Sequence, residues 1–307
     1  AAKMIHTYSG LFVVVVNPYK RYPLYTQRVC KIYLGKRRNE APPHLWAIAA
    51  GAYGHMLTNK KDNAMLITGE SGAGKTENTK KVITYLAMVA TGSGGKKSEK
   101  KVSLEDQIVA TNPILESYGN AKTSRNDNSS RFGKFIRIHF TSSGKLCGCD
   151  IVSYLLEKSR ITEQQAVERS YHIFYQLIQP YGDGLGEGLR NKCRLSNDIY
   201  DYIYVSQGKT KVDSIDDNEE LEYTEDAFNV IGFGDQEKWD CYMLTAGVMT
   251  AGGVEFKTKG RDDQAECEQI GPDTFPGKFA ALCGVDAFAM IKAFCKPRIK
   301  VGTEWVT

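Results

Sequence analysis

Eight consecutive residues carry the clearest chemistry in this sequence. Gly69, Glu70, Ser71, Gly72, Ala73, Gly74, Lys75 and Thr76 fit G-x-x-x-x-G-K-[ST]. Glycines let the backbone wrap so that successive N–H groups point inward around phosphate oxygens. A helix starting at the end of such a loop adds the positive end of its dipole. In that arrangement Lys75 reaches the β- and γ-phosphates of a nucleotide and the Thr76 hydroxyl holds Mg²⁺.

A second constellation follows at Asn126-Asp127-Asn128-Ser129-Ser130-Arg131-Phe132-Gly133-Lys134. Alone it reads as a polar loop before a strand, since Asn, Asp and Ser favour turns. Alongside a phosphate loop it supplies what a γ-phosphate sensor needs. One serine can complete a Mg²⁺ shell, another can meet the γ-phosphate or the attacking water, and the arginine supplies compensating charge.

These groups need elements to hold them. The apolar run Asn63–Thr68 predicts a short strand feeding the glycine loop, and Val82, Ile83, Leu86 and Val89 predict a helix from about Lys75 to Ala90. Upstream, Val-rich Leu11–Val16, bounded by Gly10 and Asn17-Pro18, predicts a buried strand. Leu45, Ile48, Ala49, Ala52 and Met56 recur at helical spacing behind Pro42-Pro43. Thr91–Lys101 is Gly, Ser and Lys without an apolar anchor and reads as a mobile surface loop. Helical character resumes near Ser103–Ile108. Phe135–Phe140 alternates, placing Ile136, Ile138 and Phe140 on one face, and a turn at Ser142–Gly144 leads to a second strand near Lys145–Leu156. The second half reads as largely helical: Glu163–Ile178, a segment from about Asp198, and Asp235–Met249. Acidic Asp213–Asp226 reads as a solvated face.

Composition narrows the class. A net charge of +4 on 307 residues is small, and the basic runs Lys36–Arg38 and Lys96–Lys101 read as solvated ends rather than a nucleic-acid surface. No stretch approaches the roughly 20 apolar residues that span a bilayer. The eight cysteines are scattered, with only Cys147 and Cys149 closely spaced, so structural zinc is not expected and free thiols in a reducing, cytoplasmic compartment are.

GESGAGKTENTKK at Gly69–Lys81 followed by NDNSSRFGKF at Asn126–Phe135 resembles the phosphate loop and switch I of the myosins, particularly the muscle-type class II heavy chains. Kinesins share the serine-serine-arginine core but continue with Ser-His, where this chain has Phe132-Gly133. Asn17–Tyr25 is similar to the myosin adenine-site segment, and Asn112–Glu116, Tyr154–Lys158 and Glu168–Tyr175 follow in the family's order. Runs at Val14–Val16, Gly247–Gly253 and Cys267–Phe275 depart from the family.

The resemblance implies an α/β phosphate-loop NTPase with a central, mostly parallel twisted sheet flanked by helices, plus a largely helical upper subdomain. It divides the chain into the adenine-site segment, phosphate loop and helix (1–90), a surface loop (91–103), switch I with a hairpin (104–160) and an upper helical region (161–307). It implies that Gly69–Thr76 bind the phosphates of ATP, that Asn17, Pro18 and Tyr25 border the adenine, and that Thr76 and Ser130 ligate Mg²⁺. Lys75, Asn126, Ser129 and Arg131 take the catalytic roles, with Arg131 ion-paired to a glutamate of switch II. Switch II, converter, lever arm and tail are expected outside these residues. The look-alike Val230–Asp235 reads as a helix-starting turn with Asp235 as its cap. The implied function is the ATP-hydrolysing part of an actin-based motor in the cytoskeleton, within thick filaments if muscle-type. Light chains and self-association would involve other regions. Three readings stand beside it: a module that holds nucleotide without efficient turnover, a generic phosphate-loop kinase or GTPase, and a filament component.

Overall fold

Apolar spacing becomes structure wherever a cap or a backbone partner completes it. The protein is described by a computed structural model, which covers residues 4–90, 104–178, 185–258, 265–267 and 269–306. In chain order the elements are β1 (His6–Ser9), β2 (Phe12–Val15), α1 (Gln27–Tyr33), α2 (Leu45–Asn59), α3 (Lys75–Ala90), α4 (Leu104–Gly119), β3 (Asn120–Ala121) and β4 (Ser129–Ser130). Then follow β5 (Gly133–Phe140), β6 (Leu146–Tyr154), α5 (Ser159–Thr162), α6 (His172–Ile178), α7 (Leu185–Lys192), α8 (Ile203–Ser206), α9 (Asp217–Ile231) and α10 (Asp235–Ala251). The last are β7 (Lys257–Thr258), β8 (Ala265–Glu266), α11 (Phe275–Leu282), α12 (Ala287–Cys295), β9 (Ile299–Val301) and β10 (Glu304–Val306). Two compact units result: Ala1–Asn112 with Gly133–Tyr154, and Pro113–Phe132 with Leu155–Thr307.

The first unit is built on α2 and α3. Buried Trp46, Ala49, Val82, Tyr85 and Leu86 form its core, and Trp46 Nε1 donates to Lys81 O at 2.8 Å. His44 caps α2 by accepting from Trp46 N, and Lys60 closes it in the left-handed conformation. The expected helix at Lys75–Ala90 is α3. The hairpin β5–β6 also forms, with Ile136, Ile138 and Phe140 half-buried on one face. Its turn rests on α2, where Tyr53 Oη donates to Gly144 O at 2.8 Å. Leu11–Val16 does contain a strand, β2, but not a buried one. Paired with β1, it turns Val13 and Val15 inward and leaves Phe12 and Val14 exposed, because a two-stranded hairpin here covers one face only.

The central parallel sheet is not formed among the described residues. Every sheet found there is a two-stranded antiparallel pair: β1–β2, β3–β4, β5–β6, β7–β8 and β9–β10. Asn63–Thr68 shows the burial alternation of a strand, with Met65 and Ile67 half-buried and Leu66 90% exposed, yet it joins no ladder. An apolar run sets which side faces a core. The strand itself requires a neighbour to take its N–H and C=O groups.

The second unit packs α6 against α9 and α10, and every residue of α6 is buried. Tyr171, Tyr175, Leu177, Val205, Phe228, Ala246 and Met249 make up much of its core. The helix expected over Glu163–Ile178 is only α6, preceded by the short α5. Between them the backbone turns to other partners: Arg169 N donates to Lys122 O, Glu168 O accepts from Lys209 N, and Tyr171 bridges to Ala121. The acidic stretch Asp213–Asp226 is largely solvated as expected, with Asp213, Asp216, Glu219, Glu220, Glu222 and Asp226 exposed. Most of it is helix α9, whose cap Asp216 accepts from Asn218 N and Glu219 N, with further acids in the first turn where the dipole favours them. Asp217 is buried rather than solvated. Gly232 (φ 90°) ends α9, and Asp235 is the first residue of α10 rather than its cap. Gly234 holds the cap position, and its N–H donates to Glu237 Oε2 at 2.7 Å. Thr91–Lys101 and Ser103 lie outside the described residues.

Candidate nucleotide site

The glycine loop has the backbone its sequence requires. Gly69, Gly72 and Gly74 take φ of 155°, 80° and 90°, a region L side chains rarely adopt. A Cβ at Gly69 would stand 3.0 Å from that of Ala73. Inside the loop Ala73 N donates to Glu70 O at 3.2 Å, and Asn78 N to Gly74 O at 2.9 Å opens α3. Lys75 and Thr76 are therefore the first two residues of a 16-residue helix, at its positive end. Lys75 Nζ donates to Gly69 O and Glu70 O, each at 2.8 Å, which folds the ammonium across the mouth of the loop. Ser71 is exposed and Thr76 half-buried.

The proposed adenine segment divides. Asn17 Nδ2 donates to Gly72 O at 2.8 Å while its Oδ1 accepts from Tyr19 N, so Asn17 and the adjoining Pro18 are tethered to the glycine loop. Tyr19 Oη also reaches Gly72 O at 3.4 Å. Tyr25 instead joins an aromatic cluster with His6, His44 and Trp46, its hydroxyl 3.0 Å from His6 Nε2. Burial pushes that phenol up to about 12. Lys81 Nζ lies 5.6 Å from the Tyr25 ring centre, linking the cluster to α3.

In the second unit the serine-rich segment forms a loop closed by β3–β4, where Asn120 pairs with Ser130 and Ala121 with Ser129. Asn126 is occupied within the loop. Its Oδ1 accepts from Asn128 N at 3.1 Å, its Nδ2 donates to Asn128 O at 3.3 Å, and its backbone pairs with Thr123. Ser129 is buried and accepts from Arg131 Nη1 at 3.3 Å, whereas Ser130 is exposed and donates to Phe132 O.

Arg131 has a partner that the residue types alone did not single out. Its Nε donates to Glu157 Oε2 at 2.7 Å, Glu157 N donates back to Arg131 O at 3.1 Å, and the same carboxylate accepts from Arg160 Nε at 2.7 Å. Burial pushes Glu157 up, but hydrogen bonds and charge from Arg131 and Arg160 outweigh it and hold the carboxyl below its ordinary value. Arg160 continues to Glu168, which accepts from Ser124 N. A sequence signal existed in Tyr154–Lys158, yet nothing in its spacing distinguishes Glu157 from a surface acid. One further pattern, Asn59-Lys60-Lys61-Asp62, matches the Asn-Lys-x-Asp of guanine-selective proteins. Here Asn59 and Lys60 close α2, and Lys60 Nζ donates to Ser142 O at 2.9 Å. That gives the pattern a structural use.

The family model for the myosin head (motor domain) matches residues 1–307. The chain belongs to the myosin head family. It is similar to Myosin-3 of Caenorhabditis briggsae, at 54% identity over 310 residues, and to Myosin-3 of Caenorhabditis elegans, at 53%, each alignment covering 99% of this chain. Myosin-1 of Caenorhabditis elegans is 52% identical over 309 residues, covering 100% of the chain. The myosin-head chain spans 15% to 16% of the length of these curated relatives. The family is one of phosphate-loop NTPases, which agrees with the glycine loop at Gly69–Thr76.

Proposed function

We propose that this chain is the ATP-binding and ATP-hydrolysing part of an actin-based motor, a myosin heavy chain of the muscle type. The observation that carries the reading is the Gly69–Thr76 loop, with its left-handed glycines and a lysine and a threonine opening a long helix. That donor set fits a magnesium polyphosphate: backbone amides, one ammonium, one hydroxyl and a helix N-terminus all favour an anion.

In this proposal Gly69, Glu70, Ser71, Gly72, Ala73 and Gly74 offer main-chain N–H groups to the phosphates. Lys75 exchanges its loop carbonyls for phosphate oxygens, and Asn17, Pro18 and Tyr25 border the base, Tyr25 from its place in the aromatic cluster. Thr76 and Ser130 hold Mg²⁺, which when bound neutralises charge on the phosphate oxygens. Asn126 and Ser129 contact the terminal phosphate and orient the attacking water. Arg131 lends positive charge while Glu157 restrains it. No side chain is modified in this chemistry, and catalysis comes from placement and charge. Actin is the proposed track. Light chains and self-association belong to other parts of the full-length protein, with a place in the cytoskeleton and the thick filament. Among the described residues no helix is long and apolar enough to cross a membrane, and no nucleic-acid partner is proposed.

The test is Lys75→Ala in the full-length protein, with ATP binding followed by a fluorescent analogue. Loss of a charge-assisted phosphate contact should weaken affinity by about 100-fold or more. Near-normal affinity would remove the phosphate-loop assignment. Competition by GTP equal to that by ATP would favour the generic NTPase reading instead.

A further inference from the structure

Two residues of the serine-rich loop have no role in the Asn-x-x-Ser-Ser-Arg pattern, yet both have side chains held by residues outside the loop. The Asp127 carboxylate accepts from Lys122 Nζ at 2.8 Å and from Ser214 Oγ at 2.5 Å. Asn128 Nδ2 donates to Glu116 Oε2 at 2.9 Å. Its Oδ1 accepts from Asn120 Nδ2 at 2.8 Å and lies 3.1 Å from His172 Nε2. The three partners of Asn128 come from α4, β3 and α6.

The protonation of His172 follows from its neighbours. Its Nδ1 is 3.0 Å from Arg169 Nη2, and a guanidinium can only donate, so Nδ1 must be the bare acceptor. The proton therefore sits on Nε2 and points at Asn128 Oδ1. Burial and then the Arg169 charge push the imidazole down to about 3, with Asp127 opposing, so the ring stays neutral at physiological pH. Arg169, 0% exposed, is fixed by two bonds to Asp217 at the start of α9, of 2.5 Å and 2.9 Å, and its guanidinium lies over the Tyr175 ring. Arg169 donates to Asp217 and to His172, and His172 donates to Asn128. Every member of the chain has one permitted orientation.

We infer that His172 is a positioning residue for the proposed hydrolysis: through its Nε2–H it fixes Asn128, and thereby the placement of the adjoining Ser129 and Ser130. The inference rests on the nucleotide-site reading above. A buried histidine holding only the fold together would make the same contacts, so the test must separate its two nitrogens. Asparagine carries an amide oxygen where Nδ1 stood and keeps the acceptor for Arg169. Glutamine reaches where Nε2 stood and keeps the donor to Asn128.

The experiment compares His172→Asn with His172→Gln in the full-length protein, by single-turnover ATP cleavage and by binding of a fluorescent ATP analogue. Misplacement of the loop should slow cleavage by about tenfold or more in His172→Asn, with affinity within about threefold, while His172→Gln stays within about threefold of the parent rate. Equal loss in both variants, parent-like cleavage in both, or loss that follows melting temperature would overturn the inference. If His172→Asn does not fold, Asn128→Ser leaves His172 and Arg169 in place and should show the same loss of cleavage. Parent-like cleavage in Asn128→Ser would overturn it equally. Nitrogen NMR of the imidazole should find Nε2 protonated and Nδ1 bare, and the opposite tautomer would break the chain. Lys75→Ala measured alongside separates the two claims, since retained ATP binding there overturns the site reading itself.

Discussion

His6, His44 and His172 are each held neutral by burial, and that makes them acid-sensitive. Burial lowers His6 to about 4, burial and then the His6 charge lower His44 to about 4, and His172 lies near 3. The unfolded chain takes up these protons as pH falls through about 6.5, while the folded chain refuses them until far lower. Stability is then complete above about 6.5 and declines as pH drops below it. For His172 alone the decline between pH 6.5 and 5 approaches about 2 kcal/mol. Glu157 and Glu168, lowered by their arginine partners, act in a separate window, losing their contribution only as pH falls through the carboxylate range. Thermal melting at fixed ionic strength should therefore show a clear fall from pH 7 to pH 5, blunted in His172→Gln. A flat profile over that interval would mean these rings are not buried neutral. At this scale the sequence was legible where the backbone depends on local spacing, as at Gly69, Gly72 and Gly74 with their positive φ. It was not where a role depends on who arrives from far along the chain, as Glu157 does at Arg131.

Elements obeyed the same division. Helix α3 and the hairpin β5–β6 could be read because each is specified by its own periodicity. Asn63–Thr68 could not, since a ladder needs a second segment. Nor could the start of α6, ahead of which Lys122 and Lys209 engage the backbone of residues 168 and 169. Helix α9 was hidden by its charge, because the buried side of Asp217 becomes visible only with Arg169 against it. The turn of β5–β6 offers a test of how elements dock. Gly144 has φ of 85°, and a Cβ there would stand 2.6 Å from Leu57 Cδ2 and 2.7 Å from Tyr53 Oη on α2. Gly144→Ala combines left-handed strain with overpacking and should cost on the order of 2–4 kcal/mol, read as a lower denaturant midpoint. Gly10 has a similar φ of 55° but open space around it, so Gly10→Ala should cost only the conformational part, about 1–2 kcal/mol. Equal costs at the two sites would mean the turn does not rest on α2.

At the scale of the molecule, a motor must bind fuel, grip a track and couple the two. Under the proposed function, residues of this chain are assigned to the first of these alone. The family model matches residues 1–307, and the chain spans 15% to 16% of the length of its relatives, so track and coupling rest on the proposal. The decisive measurement therefore belongs to the full-length protein. On the motor proposal its ATP turnover should rise several-fold when actin filaments are added. A separate binding measurement tests linkage: ATP should release the protein from filaments, and filaments should weaken ATP binding by the same factor. Lys75→Ala should then sediment with actin whether or not ATP is present, having lost the ligand that shifts the balance and not the track contact. Turnover indifferent to filaments, with ATP still bound through Lys75, would leave a nucleotide hydrolase and remove the motor.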